Sequence, residues 1–140
     1  MTINYKIFQK TFYFFLVFVI FSCNRTSHSA CDCELFKNGS FIYKSGASTY
    51  LIKRQDSIQI ETDTNKGYFS KLLIKWTDKC TYEGLSLEST FPFSDSIQNI
   101  RKTIPIKVQI MSTGKDYYVF KAHRNNSPIL TDTIWTDKAK

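Results

Sequence analysis

From residue 40 onward the chain alternates apolar and polar positions with a period of two, the repeat of a strand with one face buried and the other in water. Ile58 and Ile60 alternate with Gln59 and Glu61. Leu72, Ile74 and Trp76 alternate with Lys71 and Lys75, and Ile104, Ile106, Val108 and Ile110 with Pro105, Lys107 and Gln109. Turn signals at Ser45-Gly46, Gln55-Asp56, Asn65-Lys66-Gly67 and Thr77-Asp78-Lys79 punctuate the pattern at intervals of about ten residues, as a meander of antiparallel hairpins requires. The pattern predicts strands over Ser40 to Lys44, Thr49 to Arg54, Ser57 to Thr62, Tyr68 to Trp76 and Thr81 to Ser89. Three more follow, over Ile104 to Ile110, Tyr117 to Ala122 and Ile129 to Thr136.

Two interruptions refine this reading. Tyr82 and the pair Leu85 and Leu87 fall on opposite phases, which predicts a β-bulge at Gly84. Phe91-Pro92-Phe93 cannot continue a central strand, because Pro92 has no amide to donate. Ser94 or Asp95 then caps a short helix near residues 94–102, with Ile97 and Ile100 expected on the core. Pro105 places the start of the next strand at an edge. The fold class expected is all-β: an eight-stranded antiparallel meander curled into a small barrel or half-barrel of lipocalin-like form.

A different pattern precedes the strands. Lys6 and Lys10 lead into Phe12 to Phe21, an apolar run that would span about 15 Å as a helix, half the hydrocarbon thickness of a bilayer. It reads as a signal peptide over residues 1–22. Its end, Ile20-Phe21-Ser22-Cys23, resembles a bacterial lipobox, with bulky Phe21 a departure from it. That resemblance implies cleavage before Cys23 and lipidation of Cys23; Asn24 after it, with no acidic run following, carries no signal for inner-membrane retention or surface display, so attachment to the outer membrane facing the periplasm is expected. Residues 23–32 read as the lipidated tether, polar and aperiodic over Asn24 to Ala30, and residues 33–140 as a single β-domain.

Composition adds a high aromatic share, 16%, which favours strands. Without the two leader lysines the net charge is +5, scattered over Lys53-Arg54, Lys71, Lys75, Arg101-Lys102 and Lys107. No block or stripe suits nucleic acid, and none is expected as a partner. Cys31, Cys33 and Cys80 remain for an oxidising compartment. A disulfide joining Cys33, just ahead of the first strand, to Cys80, at a turn, is favoured, with Cys31 to Cys80 the alternative.

The run Cys33-x-x-Phe36-Lys37-x-Gly39-x-Phe41-x-Tyr43, then Ile52-x-Arg54, Gln59-x-Glu61, Ile74-x-Trp76, Cys80-x-Tyr82 and Asp116-x-Tyr118-x-Phe120, resembles a group of small secreted or lipid-anchored β-proteins of the Bacteroidota. The resemblance implies a shared fold, export and a cysteine pairing, with no known activity. Arg54, Gln59 and Glu61 are candidates for a polar recognition strip on the outward face, against which stands simple cross-strand pairing on a wet surface.

No nucleophile motif, phosphate loop or metalloprotease signature is present, so an enzyme is not expected, nor any cofactor. His28-x-x-Cys31-x-Cys33 is the cluster with metal-like chemistry, but Cys33 is wanted for the disulfide and no metal is expected. Asp56-Ser57-Ile58, Asp95-Ser96-Ile97 and Asp132-Thr133-Ile134 resemble the acceptor triplet of Bacteroidota O-glycosylation. Of these, Ser57 and Ser96 sit where a sugar fits. Ser45-Gly46-Ala47-x-x-Tyr50 resembles, with a misplaced tyrosine, the inhibitory loop of membrane-bound lysozyme inhibitors.

The aromatic set Tyr43, Tyr50, Tyr68, Phe69, Trp76, Tyr82, Tyr117, Tyr118, Phe120 and Trp135 either fills the core, the preferred reading, or lines a pocket. The expectation is therefore a non-enzymatic binding or structural lipoprotein. Its alternatives are a lipocalin-like binder of a small apolar ligand and an inhibitor that binds another envelope protein.

Overall fold

Eight strands each pair antiparallel with the next, and the last returns to the first. They are β1 (Gly39–Ser45), β2 (Ser48–Gln55), β3 (Ile58–Asp63), β4 (Phe69–Trp76), β5 (Thr81–Ser89), β6 (Ile106–Thr113), β7 (Tyr117–His123) and β8 (Leu130–Thr136). The sheet thus closes into a barrel, with β1 and β8 meeting along Phe41 to Tyr43 and Ile134 to Thr136. This computed structural model describes residues 31–138. The leader, the lipidation candidate Cys23, the tether up to residue 30 and His28 lie outside the described residues.

The turns form where the sequence supplies residues that tolerate left-handed backbone. Gly46 (φ 58°) links β1 to β2, and Asp56 (φ 53°) links β2 to β3, its amide donating to Asn38 Oδ1 at 2.7 Å. Asp63 closes the β3–β4 turn by accepting from the amides of Asn65 and Lys66 at 2.8 and 3.0 Å.

One end of the barrel is plugged. A 3₁₀ turn, Cys33–Phe36, folds beneath the start of β1, and the disulfide between Cys33 and Cys80 pins it to the start of β5. Phe36 enters the barrel and meets Phe41 and Tyr118, ring centroids 6.3 and 5.1 Å away, the latter edge-on. All three rings are fully buried. Cys31 remains free, its thiol donating to the Met111 carbonyl at 3.2 Å.

The opposite end carries α1 (Asp95–Thr103), in the β5–β6 connection. β5 pairs with β6 only from Thr81 to Gly84, so its second half, Leu85 to Ser89, has no partner in β6, and α1 packs beside it. Ile97 and Ile100 do not join the core; they stay nearly half exposed, and the helix turns Arg101 inward instead. Pro105 sits just before β6, where the β5–β6 pairing ends at Gly84 and Ile106, so its missing amide interrupts no ladder bond.

The bulge expected at Gly84 is elsewhere. Gly84 pairs regularly with Ile74, whereas the register slips at Leu87, between Leu72↔Ser86 and Lys71↔Glu88. Tyr82, Gly84 and Ser86 keep one inward phase while Leu85 and Leu87 point out. The apolar change of phase in the sequence is a run of outward leucines.

Candidate functional site

The inward side chains divide the barrel into a packed lower half and a hollow upper half. Arg54 stands at the boundary. Continuing the inward phase of Ile52 along β2, it is 2% exposed and its guanidinium meets four partners. Nη1 donates to the Phe36 carbonyl at 2.6 Å and Nε to Gln59 Oε1 at 2.8 Å, while Nη2 donates to the hydroxyls of Tyr82 and Tyr118 at 3.0 and 3.1 Å. Its central carbon lies 4.8 Å from the ring of Tyr82, 5.2 Å from Phe41 and 5.9 Å from Trp76. Burial works against this charge, but Tyr82, Tyr118 and Glu61 outweigh it and raise the Arg54 pKa. The same burial raises the pKa of both phenols, which therefore act as neutral hydroxyls.

Gln59 passes the network upward: its Nε2 donates to Glu61 Oε1 at 2.6 Å. The strip Arg54, Gln59 and Glu61 is thus real, but it faces inward. β3 presents Gln59, Glu61 and Asp63 to the interior, and Ile58 and Ile60 to the outside, the reverse of the expected faces. The physical reason is a cross-strand row on the outer wall, where Ile58 pairs with Leu73 and Leu73 with Leu85.

Above this floor is a cavity of about 360 Å³. Its walls are apolar, from Ile52 on β2, Leu72 on β4, Val108 on β6, Phe120 on β7 and Ile134 on β8. Phe91 and Phe93, from the segment before α1, border it together with Tyr43 and Tyr50. Gly84 lets two wall residues close over the sheet: a Cβ there would lie 3.2 Å from Ile106 Cγ2 and 3.3 Å from Leu72 Cδ2.

Three charged side chains reach the same space: Glu61, Arg101 and Arg124. Burial raises the Glu61 pKa, opposed by the Gln59 hydrogen bond and the positive charges of Arg101, Arg54 and Arg124. Burial lowers the Arg101 pKa against the pull of Glu61, and it lowers that of Arg124, where repulsion from Arg101 adds to it. Arg101 lies over the Phe93 ring, 4.5 Å from its centroid, and donates through Nη2 to Ser70 Oγ at 3.1 Å. The Nε atoms of Arg101 and Arg124 are buried without an acceptor. The ion pairs among the described residues, Lys37 with Glu34 and Lys138 with Asp116, involve none of these arginines.

Arg101 and Arg124 were not among the candidates read from sequence. Arg124 is the next even position after Tyr118, Phe120 and Ala122, so the inward phase of β7 points to it. Nothing comparable marks Arg101, on a helix whose apolar residues stay exposed.

The aromatic set splits. Tyr43, Tyr50, Tyr82 and Phe120 line the cavity, Tyr118 lies in the packed half, and Tyr117 and Trp135 pack together outside with centroids 5.0 Å apart. A filled core describes only the lower half. Ser57, in the β2–β3 turn, and Ser96, in the first turn of α1, are exposed, whereas Thr133 is half-buried in β8. No group of three metal-ligating side chains occurs among the described residues, and the disulfide commits Cys33. Compared with protein-family models, curated proteins and solved structures, the chain matches none.

Proposed function

We propose that this protein is a non-enzymatic binding protein of the bacterial envelope that holds a small, largely apolar ligand inside its barrel. The reading includes attachment to the outer membrane, facing the periplasm, through lipid chains on Cys23. The observation that carries it is the cavity of about 360 Å³, within the range of roughly 300–1,000 Å³ usual for small-molecule sites and walled in the same way by apolar side chains with few polar ones. A barrel built only to support the envelope gains nothing from such a space, since filling it would add packing energy.

The polar groups at the floor support carriage and not turnover. Arg54, Gln59, Tyr82 and Tyr118 are bonded to one another, and the network holds them in place for the fold.

Residues 31–138 contain the closed barrel, its core and its disulfide, so the domain from Ala30 to Lys140 is the unit to assay. N-phenyl-1-naphthylamine, an uncharged probe that fluoresces in apolar surroundings, should bind saturably at one site. Val108→Trp, which fills the cavity, should abolish that binding while the far-ultraviolet spectrum stays that of the barrel. Absence of saturable binding by the folded domain would overturn the reading.

A further inference from the structure

The cavity's charges are unbalanced, and they lie together at one end. Arg101 approaches from α1 and Arg124 from the end of β7, both at the end opposite the 3₁₀ plug, and both border the same space. Glu61 is the carboxylate that lines it, and its Oε1 is already occupied by the Gln59 amide. Asp132, on the neighbouring strand, accepts from the Tyr43 hydroxyl at 3.2 Å and from the Thr133 amide at 2.7 Å, and it does not line the cavity. Arg54 is a third positive charge below, met only by neutral groups.

A buried guanidinium nitrogen without an acceptor costs free energy, and two of them beside one apolar chamber repeat that cost. A ligand that brings negative charge beside the two guanidinium groups offsets this cost and their mutual repulsion. The guanidinium fork is suited to this because it meets the two oxygens of a carboxylate at once.

We infer that the ligand is an anionic amphiphile of the fatty-acid class, its carboxylate held between Arg101 and Arg124 at the end that carries α1 and its hydrocarbon chain lying along Leu72, Val108, Phe120 and Ile134. The inference rests on the proposed function and specifies its ligand. Arg101 is already oriented by Ser70 and the Phe93 ring, so it is preorganised to receive the head group. Arg124 supplies the second fork from the barrel wall. Glu61 is the carboxylate that lines the same chamber, and its charge opposes entry of the head group.

The test is displacement of N-phenyl-1-naphthylamine from the Ala30 to Lys140 domain by decanoate, 1-decanol and decyl phosphate. Decanoate should compete about tenfold or more better than decanol, the scale of one charge-assisted pairing in a buried site. The double substitution Arg101→Met and Arg124→Met should erase that preference, read as the ratio of decanoate to decanol competition so that any change in probe affinity cancels, and Glu61→Gln should increase it. Decyl phosphate competing better than decanoate would replace the carboxylate by a phosphate head group. Equal competition by decanol and decanoate, or a preference that survives the double substitution, would overturn the inference with the binding function intact. Failure of the neutral probe itself to bind would instead remove the function on which the inference stands.

Discussion

Arg54 donates to the main-chain carbonyl of Phe36 at 2.6 Å, so a charge on β2 holds in place the 3₁₀ turn that plugs the barrel. The same guanidinium satisfies Gln59 and the two tyrosine hydroxyls. Its loss therefore opens the floor at several points. Arg54→Met keeps the aliphatic bulk and should destabilise the domain by about 3 kcal/mol, because buried acceptors lose their donor. Urea unfolding followed by tryptophan fluorescence reads this directly, since Trp76 lies against the guanidinium. Arg54→Lys should recover little of the loss, as an ammonium does not reach four partners arranged around a planar fork.

The Cys33–Cys80 bridge closes a loop of 47 residues between the plug and β5. Chain-entropy arguments assign a closure of this length about 3–4 kcal/mol. Cys33→Ser combined with Cys80→Ser should lower the denaturant midpoint accordingly. Cys31→Ser should leave it almost unchanged, since its thiol makes one contact, to the Met111 carbonyl.

Much of this architecture was legible in the chain. The alternation of Leu72, Ile74 and Trp76, and that of Ile106, Val108 and Ile110, marks the inward side of β4 and β6, and the turn residues mark the hairpins. β3 misleads because hydrophobicity there records two competing burials. Ile58 is sheltered by Leu73 and Leu85 on the outer wall, while the interior it would have occupied is taken by Gln59 and Glu61 for their bonds with Arg54. Polar residues inside a barrel are recognisable only once their partners on other strands are known. The cavity was equally hidden: the same aromatic residues serve a filled core and a lined pocket, and only their spacing in three dimensions separates the two.

Gly84 provides a check on the hollow half. Its missing side chain lets Ile106 and Leu72 approach, with an added Cβ falling at 3.2 and 3.3 Å from them. Gly84→Ala should cost about 1 kcal/mol and Gly84→Val about 2–3 kcal/mol, as overpacking of an interior site does. Thermal unfolding measures both. Valine should also weaken binding of the neutral probe, because its methyls project toward the cavity wall.

Glu61 makes stability depend on pH. Its folded pKa is raised by burial, so between the ordinary carboxylate pKa and the folded one the native state holds a proton that the unfolded state has released. Its contribution is complete below the unfolded pKa, about 4.3, and is lost as the pH rises through the folded value. Glu61→Gln should remove this loss: the variant should be more stable than the parent at neutral pH, with the gap narrowing as pH falls toward 4. Denaturation midpoints across pH 4 to 8 give the comparison, and Arg101 and Arg124, which favour the charged form, limit its size.

The short β5–β6 pairing, which ends at Gly84 and Ile106, gives the wall a seam that backbone hydrogen bonds do not close. α1 packs beside this stretch of β5 without joining its ladder. If the chamber holds a ligand as proposed, entry along this seam would break no β5–β6 ladder bond, so substitutions in α1 should change the rate of exchange more than the affinity. Residence time and affinity can accordingly be altered by different residues.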